Sequence, residues 1–193
     1  MPLRIGAPQV PQVAEPQGHP AVRPEQEEQR LLTQSIDLLT KAMGKRPVGY
    51  RAPSWQFSFW TMKQVKDAGF LYDSSLMASD DAYEILLDGQ PTGVVELPIE
   101  RILDDFPYFG GGANGSNPSQ QDVFDIFKDE FDLAYEERGL FVLTMHPHII
   151  GHRSRVALLD RLIQHMKSKP GVWFATHEDV ARHVKGLMSG ASD

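Results

Sequence analysis

The strongest constraint on this chain is its rhythm: short apolar runs alternate with amphipathic segments of helical period, each bounded by glycine or proline. Pro24 opens the first, since a first helical turn does not need its missing N–H, and Glu25, Glu27 and Glu28 suit the positive end of the helix dipole. Leu32, Ile36, Leu39 and Met43 then recur at helical spacing as the expected buried stripe, and Gly44 stops the helix. Val48 to Arg51 reads as a short strand, followed by a helix from Ser58 that buries Phe59, Met62 and Val65 and ends at Gly69. Phe70 to Tyr72 is again extended. Val94, Val95, Leu97 and Ile99 form a further run, and Pro98 places it at an edge or strand end.

Asp122 to Arg138 is an acidic helix burying Val123, Phe127, Phe131 and Ala134, and Leu140 to Met145 reads as a strand covered on both faces. Ser154 to Lys167 is a helix with Leu158, Leu162 and Met166 inward, and Val172 to Ala175 is a last strand. Thr176 is placed to cap a terminal helix. Strands alternating with helices indicate an α/β fold of parallel βα units, whose ligands sit at the C-terminal strand ends. Residues 1–23 are rich in proline and glutamine and are expected to be extended or disordered, with the packed domain over 24–187 and a disordered tail at 188–193. The glycine- and asparagine-rich stretch from Gly110 to Pro118 is a surface loop, either a lid or a tolerated turn.

Composition removes several function classes. The chain has no cysteine, which excludes disulfides, thiolate metal sites and cysteine nucleophiles and fits a reducing compartment; with an N-terminus that does not read as a signal peptide, a cytoplasmic, non-secreted, soluble protein is expected. Prolines break the N-terminus, and no later run approaches the ~20 apolar residues of a membrane span. With 26 acidic and 19 basic residues the net charge is -7, so no nucleic-acid partner is expected.

Three strand ends carry polar groups where chemistry would occur. In YRAPSW, Arg51 leaves a strand into a proline-fixed loop beside Trp55 and could hold a carboxylate by paired hydrogen bonds; a structural ion pair explains it equally well. In ELPIERILDDFPYF, Asp104 and Asp105 precede Phe106, Tyr108 and Phe109. One aspartate could orient an imidazole while the aromatic group walls a sugar-like ligand, and the plain alternative is an Asx turn with a solvated carboxylate. In LTMHPHIIGHR, His146 follows the apolar run directly and can donate a proton at neutral pH. His148 and His152 match no known metal spacing and read as surface residues; His165, His177 and His183 read as structural, and Trp60 and Trp173 as packing residues.

In this order, GKRPVGYRAPSW, VVELPIERILDDFPYF and FVLTMHPHIIG resemble the later motifs of the polysaccharide deacetylase family. These are the NodB-homology, or carbohydrate esterase family 4, proteins, and the likeness is to the intracellular branch that includes peptidoglycan-deacetylase-like and allantoinase-like members. The resemblance covers about residues 24–184. It implies a partial, irregular (β/α) barrel lacking its N-terminal strands, and hydrolysis of carbon–nitrogen bonds in an acylated sugar or another small amide with a divalent metal such as zinc. It also implies that Arg51 orients a catalytic aspartate, that Asp105, preferred over Asp104, supports the active-site histidine, and that His146 is the general acid. Leu143 and Met145 would line an acyl pocket, and Trp55, Phe106 and Tyr108 a groove wall.

The family's first motif, of TFDDG type, and its paired-histidine motif have no counterpart before the first helix, where His19 alone is carried over as a metal ligand. A water-activating metal needs about three protein ligands, so weak metal binding and weak or absent activity are expected, with association into a homo-oligomer as one way to cover the open barrel edge. Two alternatives stand beside a hydrolase: a non-catalytic carbohydrate- or protein-binding module, and a fragment of a longer deacetylase.

Overall fold

The computed structural model describes residues 6, 24–110 and 118–190, so His19 and nearly all of the expected 110–118 loop lie outside the described residues. The described residues form two compact units, one within residues 6–98 and 176–190 and the other within residues 99–175.

The first of these, the sheet unit, contains α1 (Glu25–Met43), β1 (Gly49–Tyr50), α2 (Thr61–Asp67), β2 (Tyr72–Asp73), β3 (Tyr83–Leu87), β4 (Gln90–Glu96) and α7 (His177–Gly190). Its sheet runs in the order β1-β2-β4-β3. The first two pairings are parallel, as the βα rhythm requires, and β3 joins β4 as an antiparallel hairpin. The chain reverses at Asp88 and Gly89, both at positive φ, as a two-residue hairpin turn demands. Met62, Val65, Phe70, Tyr83, Ile85 and Val94 form this unit's buried cluster.

The second, the helical unit, contains α3 (Asp105–Phe109), α4 (Gln120–Glu137), α5 (Pro147–Ile150) and α6 (Arg153–Lys167). Its core packs Phe127, Phe131 and Val123 of α4 against Leu158, Leu162 and Met166 of α6. Ser119 starts α4 with a reciprocal capping box to Asp122, which satisfies two otherwise unpaired N–H groups.

The α/β class and the helix positions agree with the sequence pattern. Four local expectations do not. Leu39 and Met43 are exposed and α1 buries no residue fully, because α1 presents only Leu32 and Ile36 to the sheet-unit cluster. Phe59 is exposed, since the helix begins two residues later at Thr61 and leaves it outside the apolar face. The 140–145 run forms no strand beyond one parallel bridge from Thr144 to Asp104, and 172–175 forms none, with Trp173 and Phe174 exposed. An apolar run measures the tendency to be covered, whereas a strand also needs a neighbouring backbone to pair with.

Candidate active site

The helical unit brings Asp104, Asp105 and His146 together. A 3-10 turn at Arg101–Leu103 delivers the chain into Asp104 in extended conformation. Thr144 N–H donates to the Leu103 carbonyl at 2.8 Å, and Asp105 N–H donates to the Thr144 carbonyl at 3.2 Å. This parallel bridge aligns the two segments, so the residue two beyond Thr144 arrives beside Asp105. That residue is His146. Pro147 then opens α5 at a position where no N–H is needed, fixing the backbone just past the imidazole.

The contacts between the pair are unusually complete. The backbone N–H of His146 donates to both Asp105 oxygens at 3.1 Å, and His146 Nδ1 stands 2.7 Å from Asp105 Oδ1. Asp105 is fully buried, whereas the His146 side chain is 36% exposed. With Nδ1 held by a carboxylate, the proton of the neutral ring sits on Nδ1, and Nε2 is the position that exchanges protons. The Phe106 ring lies 5.5 Å from the imidazole and is half-exposed, forming an apolar wall on one side.

Asp104 has two relationships. Its Oδ1 accepts the Phe106 N–H at 2.9 Å as the N-cap of α3, and lies 3.5 Å from His146 Nδ1. The Asx-type contact considered from sequence is therefore present. The carboxylate is nevertheless buried rather than solvated, and that burial raises its pKa against the opposing pull of the Phe106 N–H and His146. Together Asp104, Asp105 and His146 form a group that could hold a metal ion, with potential ligand atoms all within 4.8 Å of one another. Two carboxylates and an imidazole are suitable donors for a divalent cation. The 2.7 Å separation is that of a hydrogen bond, so a shared ion would have to replace the Asp105–His146 contact.

The remaining candidate residues are distributed as follows. Leu143 is half-buried against the helical-unit core, and Met145 is exposed. Tyr108 packs edge-on against Phe127 at 5.7 Å and donates its hydroxyl to the Ile102 carbonyl. The His148 ring lies 5.8 Å from the His146 ring, and His152 occupies the N-cap position of α6 without a side-chain capping hydrogen bond. Arg51 and Trp55 belong to the sheet unit. Arg51 Nε donates to the Ser74 carbonyl at 2.8 Å and Nη2 to Ser74 Oγ at 2.6 Å, while Trp55 is half-buried at a positive φ of 57°. Sequence reasoning passed over Asp73 and gave Glu96 no role, although both are fully buried at the ends of neighbouring parallel strands. The available signal was a carboxylate ending each of two consecutive apolar runs.

No family model matches the chain. Among curated relatives, it is 28% identical over 191 residues to a peptidoglycan deacetylase of Helicobacter pylori, covering 84% of this chain and 65% of that protein. It is 27% identical over 192 residues to a peptidoglycan deacetylase-like protein of Gibberella zeae, covering 81% of this chain and 57% of the relative. The chain thus spans less than two thirds of the length of these relatives. Among solved structures, one assigned by name to the polysaccharide deacetylases, from Mycobacterium smegmatis, superposes with a TM-score of 0.77 at 32% identity, over 86% of this chain and 58% of that one. Puue allantoinase superposes with a TM-score of 0.74 at 29% identity, over 84% and 54%. With the ordered segments around Arg51, Asp105 and His146 and an open mixed sheet of two parallel pairings and one antiparallel hairpin, this agreement in sequence and fold places the chain in the NodB-type polysaccharide deacetylase family.

Proposed function

We propose that the protein is a hydrolase of carbon–nitrogen bonds in which His146, held by Asp105, protonates the departing nitrogen. The observation that carries this reading is the three-contact seating of His146 on a buried carboxylate, with the ring's other edge toward solvent. Water adds to the amide carbonyl and gives up one proton to solvent, the C–N bond breaks, and the leaving nitrogen takes the proton from Nε2 of the imidazolium, which then regains one from solvent. Asp105 stabilises that cation and fixes its orientation, while Phe106 gives the substrate an apolar surface. By family resemblance, Arg51 orients a carboxylate in the same reaction. The substrate is an acylated sugar or another small amide, in keeping with relatives named as peptidoglycan deacetylases and as an allantoinase.

A divalent metal, zinc in the first instance, belongs to this reading, and it would supply polarisation of the carbonyl and an acidified water. Asp104, Asp105 and His146 have suitable donors, but as arranged they serve the proton, and His19 remains a candidate ligand on resemblance alone. A reducing, cytoplasmic compartment accompanies the cysteine-free composition, and among the described residues no helix is long and apolar enough to cross a membrane. The test is acetate release from N-acetylglucosamine oligomers with zinc or cobalt present, in wild type and His146→Gln. Loss of a general acid lowers the rate by ~10²–10⁴. No release by the wild-type protein, or equal release by the variant, would reject the assignment.

A further inference from the structure

The sheet unit carries a row of four ionisable side chains that the hydrolase reading does not use. Tyr50 pairs with Asp73, Asp73 with Glu96, and Glu96 with Tyr83, each directly opposite the next on adjoining strands. Directly paired residues project to the same face of a sheet, so the row runs Tyr-Asp-Glu-Tyr across one face. Asp73 and Glu96 are both fully buried, and their hydrogen-bond partners are the backbone and hydroxyl groups of residues 74–76 and each other rather than a cation. Two adjacent buried carboxylates would repel at close range in a poorly solvated setting, which strongly favours retaining a proton.

Hydrogen bonding leads to the same conclusion. Asp73 Oδ1 accepts Ser75 N–H at 2.9 Å and Oδ2 accepts Ser75 Oγ–H at 3.0 Å. Glu96 Oε1 accepts the N–H groups of Ser75 and Leu76 at 3.0 and 2.9 Å. Glu96 Oε2 is buried and meets no donor, which is costly for an ionised oxygen. A proton on Oε2 turns that orphan acceptor into a donor toward the Asp73 carboxylate beside it.

We infer that Asp73 and Glu96 share one proton, and that this acid–carboxylate pair is the positioning unit that holds the 74–76 segment on which Arg51 rests. The route is short. The pair takes up the N–H groups of Ser75 and Leu76 and the Ser75 hydroxyl, whose oxygen in turn accepts the Ala52 N–H at 2.8 Å. Ser74, thus fixed, donates its hydroxyl to the Leu97 carbonyl at 2.7 Å and receives both Arg51 donors. The same burial pushes the Asp73 carboxyl up to about 6 and Glu96 well above the ordinary range. Other titratable groups facing the row are Tyr50, pushed to about 12 by burial and by Glu28 and Asp73, Tyr83 opposite Glu96, and Glu28 from α1. His177 of α7 packs on Tyr72, the neighbour of Asp73 that points to the other face. That Arg51 serves hydrolysis rests on the reading above; the shared proton does not.

The experiment compares wild type with Glu96→Gln, which keeps one acceptor and one donor without a titrating proton, and with Glu96→Ala. Infrared difference spectra of wild type against Glu96→Gln at pH 7 are expected to show a protonated-carboxyl band present only in wild type. An acid whose folded pKa is raised stabilises the fold below its unfolded pKa, and this contribution is lost as pH rises through the folded value. Wild-type stability should therefore fall relative to Glu96→Gln as pH rises from the ordinary carboxylate range through the raised folded value of the pair. His177, held low by burial and Arg51, titrates in both proteins and cancels in the comparison. The Arg51 Nε–H resonance, assigned by its loss in Arg51→Lys, should stay protected from exchange in Glu96→Gln and lose protection in Glu96→Ala. An ionised Glu96 at pH 7, or an Arg51 Nε–H equally protected in Glu96→Ala, would overturn the inference, whether or not acetate is released. Should Glu96→Gln fail to fold, a carbon-13 titration of glutamate carboxyls in wild type decides the protonation state alone.

Discussion

At the scale of single residues, two adjacent aspartates have different work. Asp105 receives three contacts from His146 while fully buried, whereas Asp104 caps a short helix through one N–H. Asp105→Ala removes the acceptor of the part-buried His146 N–H and Nδ1, a cost of about 1–3 kcal/mol, while Asp104→Ala loses a cap worth about 1 kcal/mol. Urea denaturation should rank them in that order, and an equal or reversed ranking would show that Asp105 is not the anchor. Asp132 offers a pH test in the helical unit. Burial opposes its ionisation, yet Lys128 at 2.9 Å and His165 at 2.7 Å hold it down to about 2. A carboxylate with a depressed folded pKa stabilises above its unfolded value, 3.8 here, and loses that contribution as pH falls toward about 2. Asp132→Asn should therefore flatten the acid limb of the stability curve between about pH 4 and 2.

At the scale of elements, the informative contrast is between helices of similar pattern and different cover. Leu162 on α6 is fully buried against α4, whereas Leu39 on α1 is 47% exposed despite its place in a helical stripe. Leu162→Ala should cost about 2–5 kcal/mol and Leu39→Ala only a few tenths, read as shifts in denaturant midpoint at constant slope. Comparable losses would mean that α1 is covered in solution by something beyond the described residues. Spacing alone could not separate these helices, because periodicity shows that one face is apolar and not what lies against it. The 140–145 segment makes the same point for strands. Its apolar character is matched by half-burial of Leu143, but pairing is confined to Thr144. That one bridge is nevertheless the contact that seats His146 on Asp105.

At the scale of the whole molecule, a net charge of -7 argues against binding a polyanion. No retardation of duplex DNA is expected in a mobility-shift assay at 0.15 M salt, where non-specific binding depends on clustered lysine and arginine neutralising phosphates. A salt-sensitive complex would reveal a basic patch that the total charge conceals. The family was legible from three ordered segments, and with it the α/β class, because apolar runs alternating with helices have few compact solutions. Arg51, Asp105 and His146 stood out for a related reason: polar groups at the ends of apolar runs are expensive to place there without a purpose. The hairpin of β3 and β4 was missed because its pairing depends on an opposite strand as much as on its own alternation. Asp73 and Glu96 were missed because each is an ordinary carboxylate along the chain, separated by more than 20 residues. The sequence by itself determined which segments are helical, which runs seek cover and which polar residues interrupt them, since these follow from local spacing and transfer energy. Only tertiary structure decided that His146 meets Asp105 across a single bridge and that Asp73 meets Glu96 across a sheet. Those distances are set by strand register, which no residue carries alone.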